Sequence, residues 1–128
     1  MTTGELILVV EDNEKNRKLF RDVLQATGYR VLEATTAEQA VDLALEHAPD
    51  LVLMDIQLPD GDGVQALGHI RGDVRTASIP VLAVTAQAMR GDRARFLGAG
   101  FDDCLSKPVD IRELVDAVNK HCAQEHER

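Results

Sequence analysis

The 128 residues carry 14 Lys and Arg against 22 Asp and Glu, a formal net charge of −8, with 45% hydrophobic and 28% charged residues. That length and mixture predict one domain whose core needs neither disulfides nor a structural metal. The acidic balance, with no basic stripe carrying aromatics, argues against a nucleic-acid partner, and the longest apolar run, Leu6 to Val10, is too short to span a membrane.

No charged-then-apolar leader precedes that run, and Cys104 and Cys122 lack C-x-x-C spacing. Both features predict a cytoplasmic protein whose two thiols are reduced and buried as small hydrophobes. Residues 1–128 read as a single domain, with a folded core over about 5–122 and a short polar tail.

Leu6 to Val10 is a first buried strand that runs into Glu11-Asp12-Asn13. A helix follows from about Glu14, with Leu19, Phe20, Val23, Leu24 and Thr27 on one side and Gly28 at its end. Arg30 to Ala34 is a short second strand. Thr35 stands three residues before Glu38 in capping-box spacing, and Ala37, Ala40, Val41, Ala44, Leu45 and Ala48 give the second helix its apolar face before Pro49.

Leu51 to Met54 is a third strand, apolar on both faces, and it ends on Asp55. Pro59, Gly61 and Gly63 then force a loop. A third helix covers about Gly63 to Arg71, and Pro80 introduces a fourth strand, Val81 to Val84, ending at Thr85. A fourth helix, about Met89 to Leu97, has thin apolar periodicity and contains Gly91. A fifth strand near Asp102 to Leu105 leads into Ser106-Lys107-Pro108. Asp110 and Glu113 cap a fifth helix with Ile111, Leu114, Val115, Val118 and Cys122 in a stripe, and Gln124 to Arg128 is a frayed end. Strands alternating with helices at this length predict an α/β fold with a doubly wound parallel sheet.

In such a sheet the carboxyl ends of the strands meet at one edge, where ligands bind. That edge would gather Glu11, Asp12, Asp55, Thr85 and Lys107. Three clustered carboxylates repel, and a divalent hard cation together with the Lys107 ammonium balances their charge, which predicts Mg²⁺. Asp12 and Asp55 would ligate it directly, with Glu11 acting through water. Asp55 is then placed as a nucleophile toward a phosphoryl group, with Lys107 and the Thr85 hydroxyl facing the transferred oxygens.

The strings Glu11-Asp12, Met54-Asp55-Ile56-Gln57-Leu58-Pro59 with Gly63, Val84-Thr85-Ala86 and Ser106-Lys107-Pro108 resemble the bacterial response-regulator receiver domain, over almost the whole chain. Glu11-Asp12-Asn13-Glu14 and Thr85-Ala86-Gln87-Ala88-Met89 with Gly91-Asp92 are similar to its stand-alone DivK type. The resemblance implies a flavodoxin-like receiver with strand order 2-1-3-4-5 and a signalling switch rather than an enzyme, catalysing only its own phosphorylation and dephosphorylation. Asp55 would be the phospho-acceptor, Lys107 the phosphate-contacting lysine, Thr85 the switch hydroxyl and Ala86 part of the phosphoryl-binding position. Glu11, Asp12, Asp55 and the Gln57 backbone carbonyl would hold Mg²⁺, and the peptide before Pro108 would be cis.

The resemblance also implies partners. The phosphoryl donor is a histidine kinase or a histidine phosphotransfer protein, docking on helix one near Asn16, Leu19 and Phe20. A downstream protein binds the face of helix four, strand five and helix five. One departure stands out: receivers often carry Tyr or Phe three residues before the lysine, and here that position is Cys104. A rotating ring is ruled out there, so switching would run through the loop from Thr85 to Met89 and helix four.

Blander readings apply to single residues. Asp12 alone is a helix cap, Lys107 a surface lysine, and Asp60-Gly-Asp62-Gly63 turn chemistry rather than a calcium loop. Gly98-Ala-Gly100 is a helix terminator, and His47, His69, His121 and His126 are ordinary surface or boundary residues. Two other functions share the sheet. A metal-dependent phosphohydrolase needs a second acid two residues after the nucleophile, where Gln57 stands. A flavin or nucleotide module needs a phosphate cradle where Glu11, Asp12 and Glu14 repel anions.

Overall fold

Strands whose side chains alternate between two covered faces must be apolar along their length, and the chain satisfies this three times, up to the last residue of each strand. The structure, a computed structural model, describes residues 4–86 and 92–126. The order is β1 (Leu6–Val10), α1 (Glu14–Thr27), β2 (Arg30–Ala34), α2 (Ala37–His47), β3 (Leu51–Asp55), β4 (Gln57–Leu58), β5 (Gly61–Asp62), α3 (Gly63–Arg71), β6 (Val81–Thr85), α4 (Asp92–Ala99), β7 (Asp103–Ser106) and α5 (Ile111–His126). Among the described residues the main sheet is five-stranded and parallel, ordered β2-β1-β3-β6-β7, which is the predicted 2-1-3-4-5 winding once the small β4–β5 hairpin is set aside.

Period-two alternation divides the core. Leu8, Val10, Val52, Met54, Val81 and Ala83 face α2, α3 and α4. Ile7, Val9, Leu51, Leu53, Leu82 and Val84 face α1 and α5, where Phe20, Leu24, Leu114 and Val118 pack on them. Each such aliphatic side chain stabilises the fold by about 1.5–3 kcal/mol relative to exposure. The weakest cover is α4, whose buried side chain is Phe96, set edge-on to Phe101 at 6.1 Å between ring centroids.

Several boundaries differ from those the sequence suggests. Thr36, not Thr35, caps α2: its hydroxyl accepts from the Gln39 N–H, while the Gln39 side chain accepts from the Thr35 N–H. Ala48 leaves the apolar face and terminates α2 in the left-handed region at φ 46°. The Gln57–Asp62 loop forms a two-stranded hairpin, too short to carry a periodic signal. Helix α4 continues to Ala99, and the expected start at Met89 lies outside the described residues. The α5 backbone remains helical through Gln124 to His126, where a frayed end was expected, and residues 127 and 128 are outside the description.

Turn chemistry explains the acidic hairpin. The Asp60 carboxylate accepts from the Ala37 and Glu38 N–H groups at 2.7 and 3.1 Å, tying the hairpin to the start of α2. Asp62 caps α3 by accepting from the Gln65 N–H. Neither carboxylate is arranged as a calcium ligand. After α4, Gly100 at φ 118° closes the helix, with Gly100 and Phe101 N–H groups bonded to Leu97 and Phe96 carbonyls.

Candidate functional site

The parallel sheet delivers β1, β3, β6 and β7 to one edge, and with them Glu11-Asp12, Asp55, Thr85-Ala86 and Lys107. Asp55 lies beside Val84, and Thr85 beside Ser106, in the registers β3–β6 and β6–β7. The Lys107 N–H donates to the Thr85 carbonyl at 2.8 Å, and the Lys107–Pro108 peptide is cis, as expected. Gly63 brings α3 against this edge. A methyl group there would stand 2.6 Å from the Asp55 carbonyl oxygen and 2.9 Å from Met54 Cγ, so only glycine permits the approach.

Lys107 Nζ lies 3.0 Å from Glu11 Oε1 and 3.0 Å from Asp55 Oδ2. It donates a well-directed hydrogen bond to Asp55, whereas Glu11 Oε1 is buried with an ion pair but no hydrogen bond. The second oxygens are held by the backbone: the Asn13 N–H donates to Glu11 Oε2 and the Gln57 N–H to Asp55 Oδ1, both at 3.1 Å. Glu11 and Asp55 are 1% and 3% exposed, while Asp12 faces solvent.

Burial, reinforced by the neighbouring Asp55 carboxyl, pushes Glu11 up to about 7 despite Lys107. For Lys107, burial alone would lower the ammonium pKa, but the bonds to Asp55 and Glu11 outweigh it and hold the group above its ordinary value.

One carboxylate oxygen from each of Glu11, Asp12 and Asp55 lies within 4.8 Å of the others. Hard oxygen donors, a buried Glu11 oxygen with no hydrogen bond and one solvent-facing carboxylate fit a hard divalent cation that keeps part of its water. The shallow cleft over this cluster is lined by Asp12, Asn13, Asn16, Gln57, Pro59 and Lys107, among others. Beside it runs a second groove of Asn16, Leu19, Phe20, Lys107, Pro108 and Val109.

The structure thus brings Glu11, Asp12, Asp55, Gln57, Thr85, Ala86 and Lys107 to one edge. The helix-cap reading of Asp12 fails, because Asn13 is the cap of α1 and accepts from the Asn16 N–H. The loop from Thr85 to Met89 is described only through Ala86; its remainder lies outside the described residues.

On β7, Cys104 is buried, and so is Cys122 on α5. His121 is buried rather than at the surface, with Nε2 3.2 Å from Asp103 Oδ2. Asp103 Oδ1 accepts from the Arg93 guanidinium at 2.8 Å, which also bonds the Cys104 carbonyl at 3.0 Å. Asp103 therefore joins α4, β7 and α5. Burial alone would raise the Asp103 carboxyl, but the Cys104 N–H, His121 and Arg93 hold it below its ordinary range. The sequence carried no local signal for this cluster, since its members are 10 and 18 residues apart.

Comparison with known proteins agrees with this geometry. The family model for the response regulator receiver domain matches residues 7–119. The polar-differentiation response regulator DivK of Brucella ovis is 42% identical over 115 residues, covering 90% of this chain and 94% of DivK. The receiver domain of sensor histidine kinase PA1611 from Pseudomonas aeruginosa PAO1, with a magnesium ion coordinated in its active-site cleft, superposes with a TM-score of 0.87 at 37% identity, covering 94% of this chain and 99% of that one. A putative response regulator from Chloroflexus aurantiacus J-10-fl gives a TM-score of 0.89 at 30% identity with the same coverage.

Proposed function

This chain belongs to the response regulator receiver domain family, and from that premise we propose that Asp55 accepts a phosphoryl group from a histidine kinase or a histidine phosphotransfer protein. The observation carrying the proposal is the meeting of Lys107 Nζ with Asp55 Oδ2 at 3.0 Å inside the Glu11, Asp12 and Asp55 cluster. In the transfer, an Asp55 oxygen forms a bond to phosphorus as the phosphorus–nitrogen bond of the donor breaks. The electron pair of that bond stays with the donor imidazole.

Lys107 neutralises the oxygens of the transferring group, and its bond to Asp55 orients the carboxylate before reaction. The Gln57 N–H holds the other Asp55 oxygen. Thr85, at the end of β6, supplies a hydroxyl for the phosphoryl group, and Ala86 lines the same position. Glu11, Asp12, Asp55 and the Gln57 carbonyl would hold Mg²⁺, which when bound screens charge on the phosphoryl oxygens. The oxygen-rich cluster and the magnesium-bearing PA1611 relative support this choice.

The donor docks over the groove of Asn16, Leu19, Phe20 and Pro108, whose apolar lining opens beside the cleft. Leu19 is 40% exposed there. Output follows through a downstream protein on the α4, β7 and α5 face, whose elements Asp103 ties together. Among the described residues no helix is long and apolar enough to cross a membrane.

Intact mass after incubation with acetyl phosphate, with and without Mg²⁺, tests the assignment on wild type and Asp55→Asn. One phosphoryl adduct that requires both Mg²⁺ and Asp55 is expected. An adduct that persists in Asp55→Asn, or none from acetyl phosphate and a phosphorylated phosphotransfer protein alike, would overturn it.

A further inference from the structure

We propose that Arg17 is a positioning residue for the cation and phosphoryl-transfer site, holding the Glu11–Asp12 turn so that its carboxylates converge on Asp55. The inference rests on the phospho-acceptor reading and adds a residue outside every motif that led to it. Arg17 stands one turn into α1, and its side chain is 19% exposed. One terminal nitrogen donates to the Glu11 carbonyl at 3.1 Å, with the Asp12 carbonyl at 3.5 Å. Its Nε lies 3.2 Å from Glu33 Oε1 on β2.

The position of this fork matters because regular pairing ends at Glu11. The Glu11 N–H donates to the Ala34 carbonyl, the last bond between β1 and the end of β2. Beyond it the chain turns to bring a buried and an exposed carboxylate within 4.8 Å of each other and of Asp55. Mutual repulsion favours splaying such a turn. Arg17 resists it from the carbonyl side, and Glu33, which also pairs with Arg21 at 3.3 Å, fixes Arg17 to β2. A guanidinium reaches the two partners from separate nitrogens in a fixed plane, a geometry that the single nitrogen of a lysine ammonium does not reproduce.

Position and charge act in opposite directions here. As a charge, Arg17 repels a divalent cation, so deleting it would tighten binding. As a clamp, it preorganises the acidic turn, so deleting it weakens binding, by about tenfold for groups that orient metal-ligating carboxylates.

The test is calorimetric titration of Mg²⁺ into wild type, Arg17→Ala and Arg17→Lys, together with acetyl-phosphate labelling rates across Mg²⁺ concentration. In both variants the half-saturating Mg²⁺ concentration is expected to rise, by about tenfold in the alanine variant. The labelling rate at saturating Mg²⁺ stays near wild type. Arg17→Met, which keeps the apolar stem, serves if the alanine variant does not fold. An unchanged or lowered half-saturation in the neutral variants, or full recovery by lysine, overturns the proposal. Wild type that neither binds Mg²⁺ nor takes label would instead remove the phospho-acceptor reading, and this inference with it.

Discussion

In metal-free protein, a rise from about pH 5.5 to about pH 8.5 is expected to lower the melting temperature through Glu11. The folded carboxyl titrates at about 7 and its reference value is 4.5, so between those values the folded state holds a proton that the unfolded chain has released. A raised carboxyl of this kind contributes stability that is complete below the unfolded value and lost as pH climbs through the folded one. The full separation corresponds to about 3 kcal/mol. The part of it that lies above pH 5.5 is about 2 kcal/mol, which is the expected loss. For a chain of this length that is about 4–8 °C.

On the proposed site, Mg²⁺ would compete with the proton for the same oxygens, so saturating Mg²⁺ should flatten the dependence, and its affinity should fall as pH drops below 7. The assay is circular-dichroism melting across the pH range, in chelator and in excess Mg²⁺, on wild type and Glu11→Gln. A metal-free melting temperature level across the range would refute the reasoning. So would an equal slope in Glu11→Gln, which would assign the effect to other groups.

Three further substitutions test the frame around the site. Gly63→Ala sets a methyl 2.6 Å from the Asp55 carbonyl oxygen; a loss of about 1–3 kcal/mol in denaturant melts is expected, with slower acetyl-phosphate labelling, and wild-type values for both would contradict the packing. Asp103→Ala releases Arg93 and His121 together, costing about 1–2 kcal/mol and speeding amide exchange in α4; unchanged exchange over residues 92–99 would show that the cluster does not hold that helix. Ala48→Gly relieves a left-handed alanine at φ 46°, and a gain of about 0.5–1 kcal/mol in the same melts is expected; any loss would count against the strain.

The sequence signalled most strongly where one physical requirement dominated a segment. Leu51 to Met54 had to be an interior strand because four consecutive apolar side chains need two covered faces, and Glu14 to Gly28 showed a helix with its apolar side and its terminator, though its cap proved to be Asn13 rather than Asp12. Local signals misled: the capping-box spacing of Thr35 and Glu38 pointed one residue before Thr36, the actual cap of α2, and the apolar spacing that reached Ala48 could not reveal its left-handed backbone. The hairpin Gln57 to Asp62 escaped because two-residue strands have no period. Site residues were legible as strand endings, since topology alone brings those together. Arg17, Glu33 and the Asp103 cluster were not, because each works through contacts between elements that no spacing in one segment encodes.

The cysteine at position 104 shows how the two kinds of information combine. Read alone, it removes a turning ring from β7 and leaves the loop from Thr85 to Met89 as the expected link to helix four. The structure supplies polar ties at that position: Arg93 on α4 bonds the Cys104 carbonyl and the Asp103 carboxylate, and His121 on α5 meets the other Asp103 oxygen. Arg93 is 62% exposed, so its ion pair contributes only about 0–1 kcal/mol. With Phe96 as its buried anchor, α4 is then held less firmly than α1 or α5, which each bury a longer apolar stripe. Elements that move on signalling come from this low-stability end of a fold. With Asp103 at its start and Lys107 directly after its end, β7 can therefore connect the candidate site to that helix without any aromatic residue between them.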